Sequence, residues 1–395
     1  MVLRVFWNIG AGLVHRALTK GSMKPGTAVK TTGILYHAIK NRRMFLAGSQ
    51  VIRYRHAIPP FRPYEIRSQI VYWDDTWIYF LQQFQCPTTG KLYAEGLCRV
   101  TVREGKKVIP GAVMYAEVEP DTPPDMPTEM PDIVKEFLSW DMASKVSMES
   151  IAERDKRELV ASSNAGHSDG KGKSSLSSSS KAPKGLVKAR CLVQRALTKN
   201  KAKPGMSVNY PAVWRARPGF LDCDVNFHLN NASYLFNMEL ARWHFSAATG
   251  ILTHAIKKKR MFLVGSQVIR YRHAIPPFRP YEIRSQIVYS DDTWIYFLQQ
   301  FQCPTTGKLY AEGLARATVR EGSKKISAAD MLAEVGETSK LPTEMPDVVK
   351  QFLSWDEASR VSMETATEAA QKQLAVTKPK RGLLADLTRT WNLPF

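Results

Sequence analysis

One domain is written twice in this chain of 395 residues, and one of the two copies has a hole in it. Residues 43–105 and 260–322 match without gaps and differ only at Ala47/Val264, Trp73/Ser290, Cys98/Ala315 and Val100/Ala317. The likeness resumes at "LSWDMASKVSMES" (138–150) against "LSWDEASRVSMET" (353–365). Upstream, Arg16 pairs with Arg195 at an offset of 179, whereas His37 pairs with His254 at an offset of 217. The first copy therefore lacks 38 residues between about Lys30 and Thr32, the counterpart of roughly Tyr210 to Ala248. A unit this long is a duplicated domain, since stacked solenoid repeats run to about 20–50 residues. The abrupt edges and near-identical flanks fit exon loss better than gradual decay.

The expected organisation is a truncated repeat over 14–150, a flexible Ser/Gly/Lys-rich linker over 162–185, an intact domain over 187–366 and a basic tail over 367–395. Each copy is long enough to bury a core. A net charge of +20 favours anionic partners such as a phosphate-bearing cofactor, an anionic lipid or nucleic acid. Nucleic acid is the weakest of these, because the Lys and Arg are spread along strands and turns with no recognition motif. Five cysteines with no paired CxxC spacing read as reduced thiols. Cys223 could be imagined as a nucleophile, but a small side chain filling a turn is the simpler reading. No apolar run reaches the ~20 residues that span a bilayer. The apolar segment between Arg4 and His15, with no acid before Glu65, leaves a leader or peripheral anchor open. A cytoplasmic protein is expected, with mitochondrial or membrane-peripheral placement as alternatives.

Periodicity orders the second copy. A strand is predicted over 207–217, then a helix from Asn231 to Thr249 with Gly250 as its stop. Tyr234, Leu235, Met238, Ala241, Phe245 and Ala248 recur at helical spacing, and Leu240 and Trp243 add apolar surface on other faces. Such a helix is enclosed by its own domain. Strands follow over 260–273, 281–289, 294–303 and 308–319, joined by turns at Ser290-Asp291-Asp292 and Pro304-Thr305-Thr306-Gly307. Short connections imply antiparallel neighbours. The fold class is α+β, a curved antiparallel sheet wrapped around one long helix.

Immediately before that helix stands "LDCDVNFHLNNASYLFNMELAR" (221–242), the stretch that the first copy has lost. Asp222, Asp224, His228, Asn230, Asn231, Tyr234, Glu239 and Arg242 carry its polar pattern. Asp222 and Asn230 suit a turn and a helix cap as well as they suit chemistry. His228 suits a structural hydrogen bond or a positioning role. Tyr234 suits the core. Glu239 and Arg242, three apart, are expected to pair on the helix surface.

These residues and this order of elements resemble the hotdog-fold acyl-CoA thioesterases of the 4-hydroxybenzoyl-CoA thioesterase type, closest to the branch of the thioesterase-superfamily member 6-like proteins. The resemblance covers about 190–365 fully, and about 14–150 only outside the motif. It implies tandem hotdog domains, the first without its central helix. It also implies hydrolysis of acyl-CoA to free acid and CoA, with Asp224 as base or nucleophile. Asp222, His228 and Asn231 would stand beside Asp224 in the active site. Backbone N–H groups at the helix start would hold the oxyanion. Substrate contacts would come from Asn230, Tyr234 and the arginines Arg270, Arg272 and Arg279 of "RYRHAIPPFRPYEIR", whose charge suits the phosphates of CoA. An exposed strand face of alternating arginines would look the same. No metal or redox cofactor is implied: CoA enters as part of the substrate. Hotdog domains work in pairs, so a homo-oligomer or an intrachain pair is expected. The rival reading is a non-catalytic acyl- or lipid-binding scaffold. The first copy, without motif or helix, is expected to be inactive and to expose an apolar sheet face, at ~25 cal/mol per Å² left uncovered.

Overall fold

The computed structural model describes residues 37–118 (except 39 and 60), 129–165, 211–335 (except 225), 342 and 344–377. The first copy supplies β1 (Met44–Tyr54), β2 (Glu65–Trp73), β3 (Ile78–Gln85), β4 (Leu92–Glu104), β5 (Lys107–Ile109), α1 (Gly111–Val118) and α2 (Asp132–Ala165). The second supplies β6 (Ala212–Ala216), α3 (Asn231–Ala248), α4 (Ile251–Lys257), β7 (Met261–Tyr271), β8 (Tyr281–Ser290), β9 (Ile295–Gln302), β10 (Leu309–Glu321), β11 (Lys324–Ile326), α5 (Ala328–Glu334) and α6 (Asp347–Thr377). The edges of the deletion, the Arg4–His15 segment and most of the expected linker and tail lie outside the described residues. Of the linker, 162–165 complete α2; of the tail, 367–377 complete α6.

The strands form one antiparallel sheet of order β2-β3-β4-β1-β7-β10-β9-β8-β6, with β5 on β4 and β11 on β10. Its centre is the pairing of β1 with β7, the same strand of the two copies. Val51 faces its own counterpart Val268, and Ser49 faces Arg270 as Arg53 faces Ser266. The two halves are thus related by a local two-fold axis through that valine pair. The two copies pair within the chain through these strands, and the chain folds as tandem hotdog domains.

One face of the sheet carries α2 and α6. Phe137, Trp140, Phe352 and Trp355 pack there with Val51, Leu97, Val268 and Leu314. Each helix is also tied to the opposite copy. Asp141 of α2 pairs with Arg99 of its own copy at 2.8 Å and with Arg270 of the other. Asp356 of α6 pairs with Arg316 at 2.7 Å and with Arg53 of the other copy. Ser144 and Ser147 donate to Glu312 at 3.3 Å, and Ser359 and Ser362 donate to Glu95 at 3.2 and 3.1 Å.

Burial, outweighing these hydrogen bonds, raises the pKa of both Glu95 and Glu312. Each therefore binds its proton more tightly folded than unfolded. The stability they contribute is fully present below the ordinary carboxylate pKa and is lost as pH rises through the raised values. The Glu95→Gln/Glu312→Gln double variant is expected to gain several degrees of Tm at pH 8 and much less at pH 5, read by thermal unfolding. Equal shifts at both pH values would show that the carboxylates carry no such cost.

The other face carries α3, in the second half alone. Tyr234, Leu235, Met238 and Ala241 pack on Ile269, Ile283, Phe301 and Ala311, while Phe245 meets Phe297 and Ile287. Gly250 ends the helix at φ 80°, a conformation that suits glycine. In the first half Ile66 and Phe80 are half-exposed, whereas their counterparts Ile283 and Phe297 are buried. Among the described residues nothing replaces the helix there.

Candidate active site

The motif folds as a small hairpin leading into α3. After the one-turn helix Phe220–Asp222, Asp222 O accepts from Asn230 N–H and Asp224 N–H donates to His228 O, both at 2.8 Å. The tip closes by Phe227 N–H to Asp224 O at 3.1 Å, with Phe227 at φ 56°. The hairpin is pinned to the loop after β7: Leu229 N–H donates to Ile275 O at 2.9 Å, and the rings of Phe220 and Phe278 meet edge-on at 4.8 Å.

Several polar atoms are used up in building this shape. Asp222 Oδ2 accepts from Gly219 N–H at 2.8 Å. Asp224 Oδ1 accepts from the N–H groups of Asn226 and His228 at 2.9 and 3.2 Å. Asn230 is the N-cap, its Oδ1 accepting from Ala232 N–H at 2.9 Å. What remains is the chemically useful part. Asp224 Oδ2, the His228 ring and the Asn231 amide have no hydrogen-bond partner among the described residues, and all three side chains are partly exposed. They stand at the start of α3, where the helix dipole and unpaired N–H groups favour negative charge.

Three expected substrate contacts have other roles. Tyr234 is a core residue: its buried ring lies 5.0 Å from the rings of both Tyr271 and Phe301. Asn230 spends its side-chain oxygen on the cap. Arg270 is turned to the face of α2, where it grips the carboxylate and carbonyl of Asp141, so it is not available at the mouth of the motif loop. Alternation along β7 sends its side chain to the α2 face of the sheet. Arg272 and Arg279 are exposed on the loop beside the hairpin. The surface pair of Glu239 and Arg242 is also overturned. Arg242 is buried, donates to Gln299 at 2.7 Å and Gln267 at 3.3 Å, and is pushed down to about 10 by burial.

Cys223 donates to Gly219 O at 3.3 Å, and burial, with Asp222 and Asp224 nearby, raises its pKa. A thiolate is disfavoured there, which fits a turn-filling side chain. The charge network of Asp141, Asp356 and their four arginines was missed in sequence. Its one local sign was the "LSWD" of each copy, an acid set directly beside a Trp.

The family described as the Thioesterase-like superfamily matches residues 22–138 and 218–353, one segment in each half and together well over half of the chain. Protein THEM6 of Drosophila melanogaster is 32% identical over 132 residues, covering 33% of this chain and 66% of that one. Protein THEM6 of Danio rerio is 29% identical over 134 residues, covering 34% and 63%. The chain thus spans just under two thirds of these relatives' own length. Thioesterase poxG of Penicillium oxalicum is 24% identical over 160 residues, covering 31% and 53%. Among solved structures, the 12:0-ACP thioesterase from Umbellularia californica is 10% identical with a TM-score of 0.45, covering 81% of this chain and 87% of that one. No helix among the described residues is long and apolar enough to cross a membrane. The chain belongs to the Thioesterase-like superfamily, and both of its halves are hotdog domains of that family.

Proposed function

We propose that this protein hydrolyses acyl-CoA thioesters to the free acid and CoA at a single site, the start of α3 in its second half. The observation that carries the reading is the division of labour in Asp224. One oxygen is locked by two backbone N–H groups, and the other has no partner among the described residues and stands beside a helix N-terminus. A carboxylate fixed in this way acts as the base that deprotonates water, or attacks the thioester carbon itself. The charge that develops on the carbonyl oxygen is met by the first N–H groups of α3. Asn231 and His228 lie close enough in the chain to orient water or substrate, and Asp222 holds the turn that presents Asp224. Exposed Arg272 and Arg279 offer charge to the CoA phosphates.

The test is release of free CoA by the full chain from short, medium and long acyl-CoAs. Turnover on at least one is expected. Binding of acyl-CoA with no release of CoA from any would replace the enzyme by a scaffold. The first half supplies sheet and helix contacts but no counterpart of Asp224, so one acyl group is expected to turn over per chain. A pre-steady-state burst of two per chain would contradict that.

A further inference from the structure

The two loops that frame the motif present a surface of one kind. Leu229 N–H to Ile275 O at 2.9 Å and Phe278 N–H to Pro218 O at 3.0 Å hold the loop after β7 beside the motif hairpin. Among the described residues of 215–230 and 271–284, every exposed residue is apolar, an arginine or a histidine. Phe220, Leu221, Phe227 and Phe278 are between 50% and 81% exposed. Arg217, Arg272 and Arg279 are exposed beside them in the same two loops. The acids of the region are turned inward. Asp222 and Asp224 each spend an oxygen inside the hairpin, and Glu282 is buried, with Arg215 at 3.7 Å and Arg284 at 3.2 Å. Backbone strain marks the same residues. Phe227 and Phe278 sit at φ 56° and 61°, where a bulky side chain is a rare and costly choice. Glycine or asparagine would suit either position better. Each holds a ring that fits neither its backbone angle nor the water around it. Beyond the edge-on contact of Phe220 with Phe278, the fold gains little from them.

We propose that this surface docks the protein on a bilayer of anionic lipid, with the rings and Leu221 entering the interface and the arginines meeting the headgroup charge. Charge selects the occupant. A second copy laid on the same patch would set arginine against arginine. The chain's own segments outside the described residues at either end are no better matched. Residues 1–36 contain no acid, and 378–395 hold four basic residues against one acid. A single-stranded nucleic acid would accept arginines and rings, but it is tracked along a groove, and Leu221 offers it no stacking face. Exposed apolar tips among arginines fit a flat, negative surface with an apolar interior. Asp224 lies between Leu221 and Phe227 in the same hairpin. On the thioesterase reading, a docked protein holds its candidate base at the surface where an amphiphilic thioester collects. The docking itself does not depend on that reading.

The test is co-sedimentation of the full chain with lipid vesicles, read without turnover. Phosphatidylcholine vesicles with roughly one-third phosphatidylserine are expected to bind about tenfold better than pure phosphatidylcholine, and high salt should remove the difference. The double variant Leu221→Ser/Phe278→Asn should weaken binding to the anionic vesicles by about tenfold or more. Asparagine accepts the left-handed angle, and the bond from the N–H of residue 278 to Pro218 O is kept, so circular dichroism should show an unchanged fold. Arg217→Gln, a single exposed change, should weaken binding to the anionic vesicles by about fivefold. Equal binding by the wild type and both variants, or no preference for anionic vesicles, would overturn the proposal. So would a lack of vesicle binding joined to a dimer in light scattering that Leu221→Ser/Phe278→Asn abolishes, which would make a second copy the occupant. Binding of a single-stranded oligonucleotide that is lost in the same variant, again without vesicle binding, would give the surface to nucleic acid instead. Vesicle binding that falls in both variants, with no thioester hydrolysed by the wild type, would keep the docking surface and remove the enzyme.

Discussion

Asp224→Asn is expected to lower kcat/KM for acyl-CoA hydrolysis by between about 10² and 10⁴-fold, with the fold and substrate binding kept. The choice of asparagine follows from the geometry. Asparagine keeps an Oδ1 that can still accept from Asn226 and His228, so the hairpin survives and only the free carboxylate oxygen is replaced. Alanine would remove both oxygens and open the turn, confounding chemistry with position. The two variants should therefore separate. Asp224→Asn loses kcat with KM held, while Asp224→Ala loses kcat and also raises KM. Free-thiol release under saturating and subsaturating substrate reads both. A kcat for Asp224→Asn within threefold of wild type would move the catalytic role elsewhere.

The second large effect concerns the joint between the halves. Asp141→Ala is expected to destabilise the chain by about 3–5 kcal/mol. Its carboxylate is almost wholly buried and neutralises two partly buried arginines, Arg99 of its own half and Arg270 of the other. Removing it leaves two charges facing one another with no anion between them. Asp356→Ala should cost a similar amount through Arg316 and Arg53. The triple replacement Asp141→Leu/Arg99→Met/Arg270→Met, which removes these three charges altogether, should recover much of the loss. Exchanging a buried ion set for apolar side chains of similar size is often neutral. Urea unfolding of the three proteins decides it. A loss for Asp141→Ala below about 1 kcal/mol would place this joint in the class of surface ion pairs.

Much of the second half could be read from its sequence. Helix α3 and strands β7 to β10 declare themselves because their apolar residues keep helical or alternating periods. Gly250 marks the helix end because few other residues tolerate its backbone angle. The motif's place at a loop-to-helix junction was likewise visible, and so was the reason: a carboxylate and a cap at the positive end of a helix. What stayed hidden was everything that depends on which element crosses which. Trp140 and Asp141 lie within α2, and nothing local in their sequence says that the aspartate will meet Arg270 of the other copy. Arg270 itself looked like a phosphate ligand because alternation along a strand gives a residue's side but not what covers that side. Arg242 misled for a related reason. A charged residue on a helix is assigned to solvent by default, yet the apolar residues around the whole circumference of α3 had already said that its polar residues would be enclosed too.

The pairing of β1 with β7 has one more consequence. Where two separate chains build such a sheet, the support of the active site is a bimolecular equilibrium, and dilution dissolves it. Here both central strands belong to one molecule, so the second half meets its companion at the high effective concentration of a tether, whatever the protein's abundance. The motif hairpin thus keeps its backing when only a few copies are present. That constancy also relaxes the demand on the companion, which need only present a strand and a helix to the axis. A half that has lost its own hairpin and central helix still meets that demand in full.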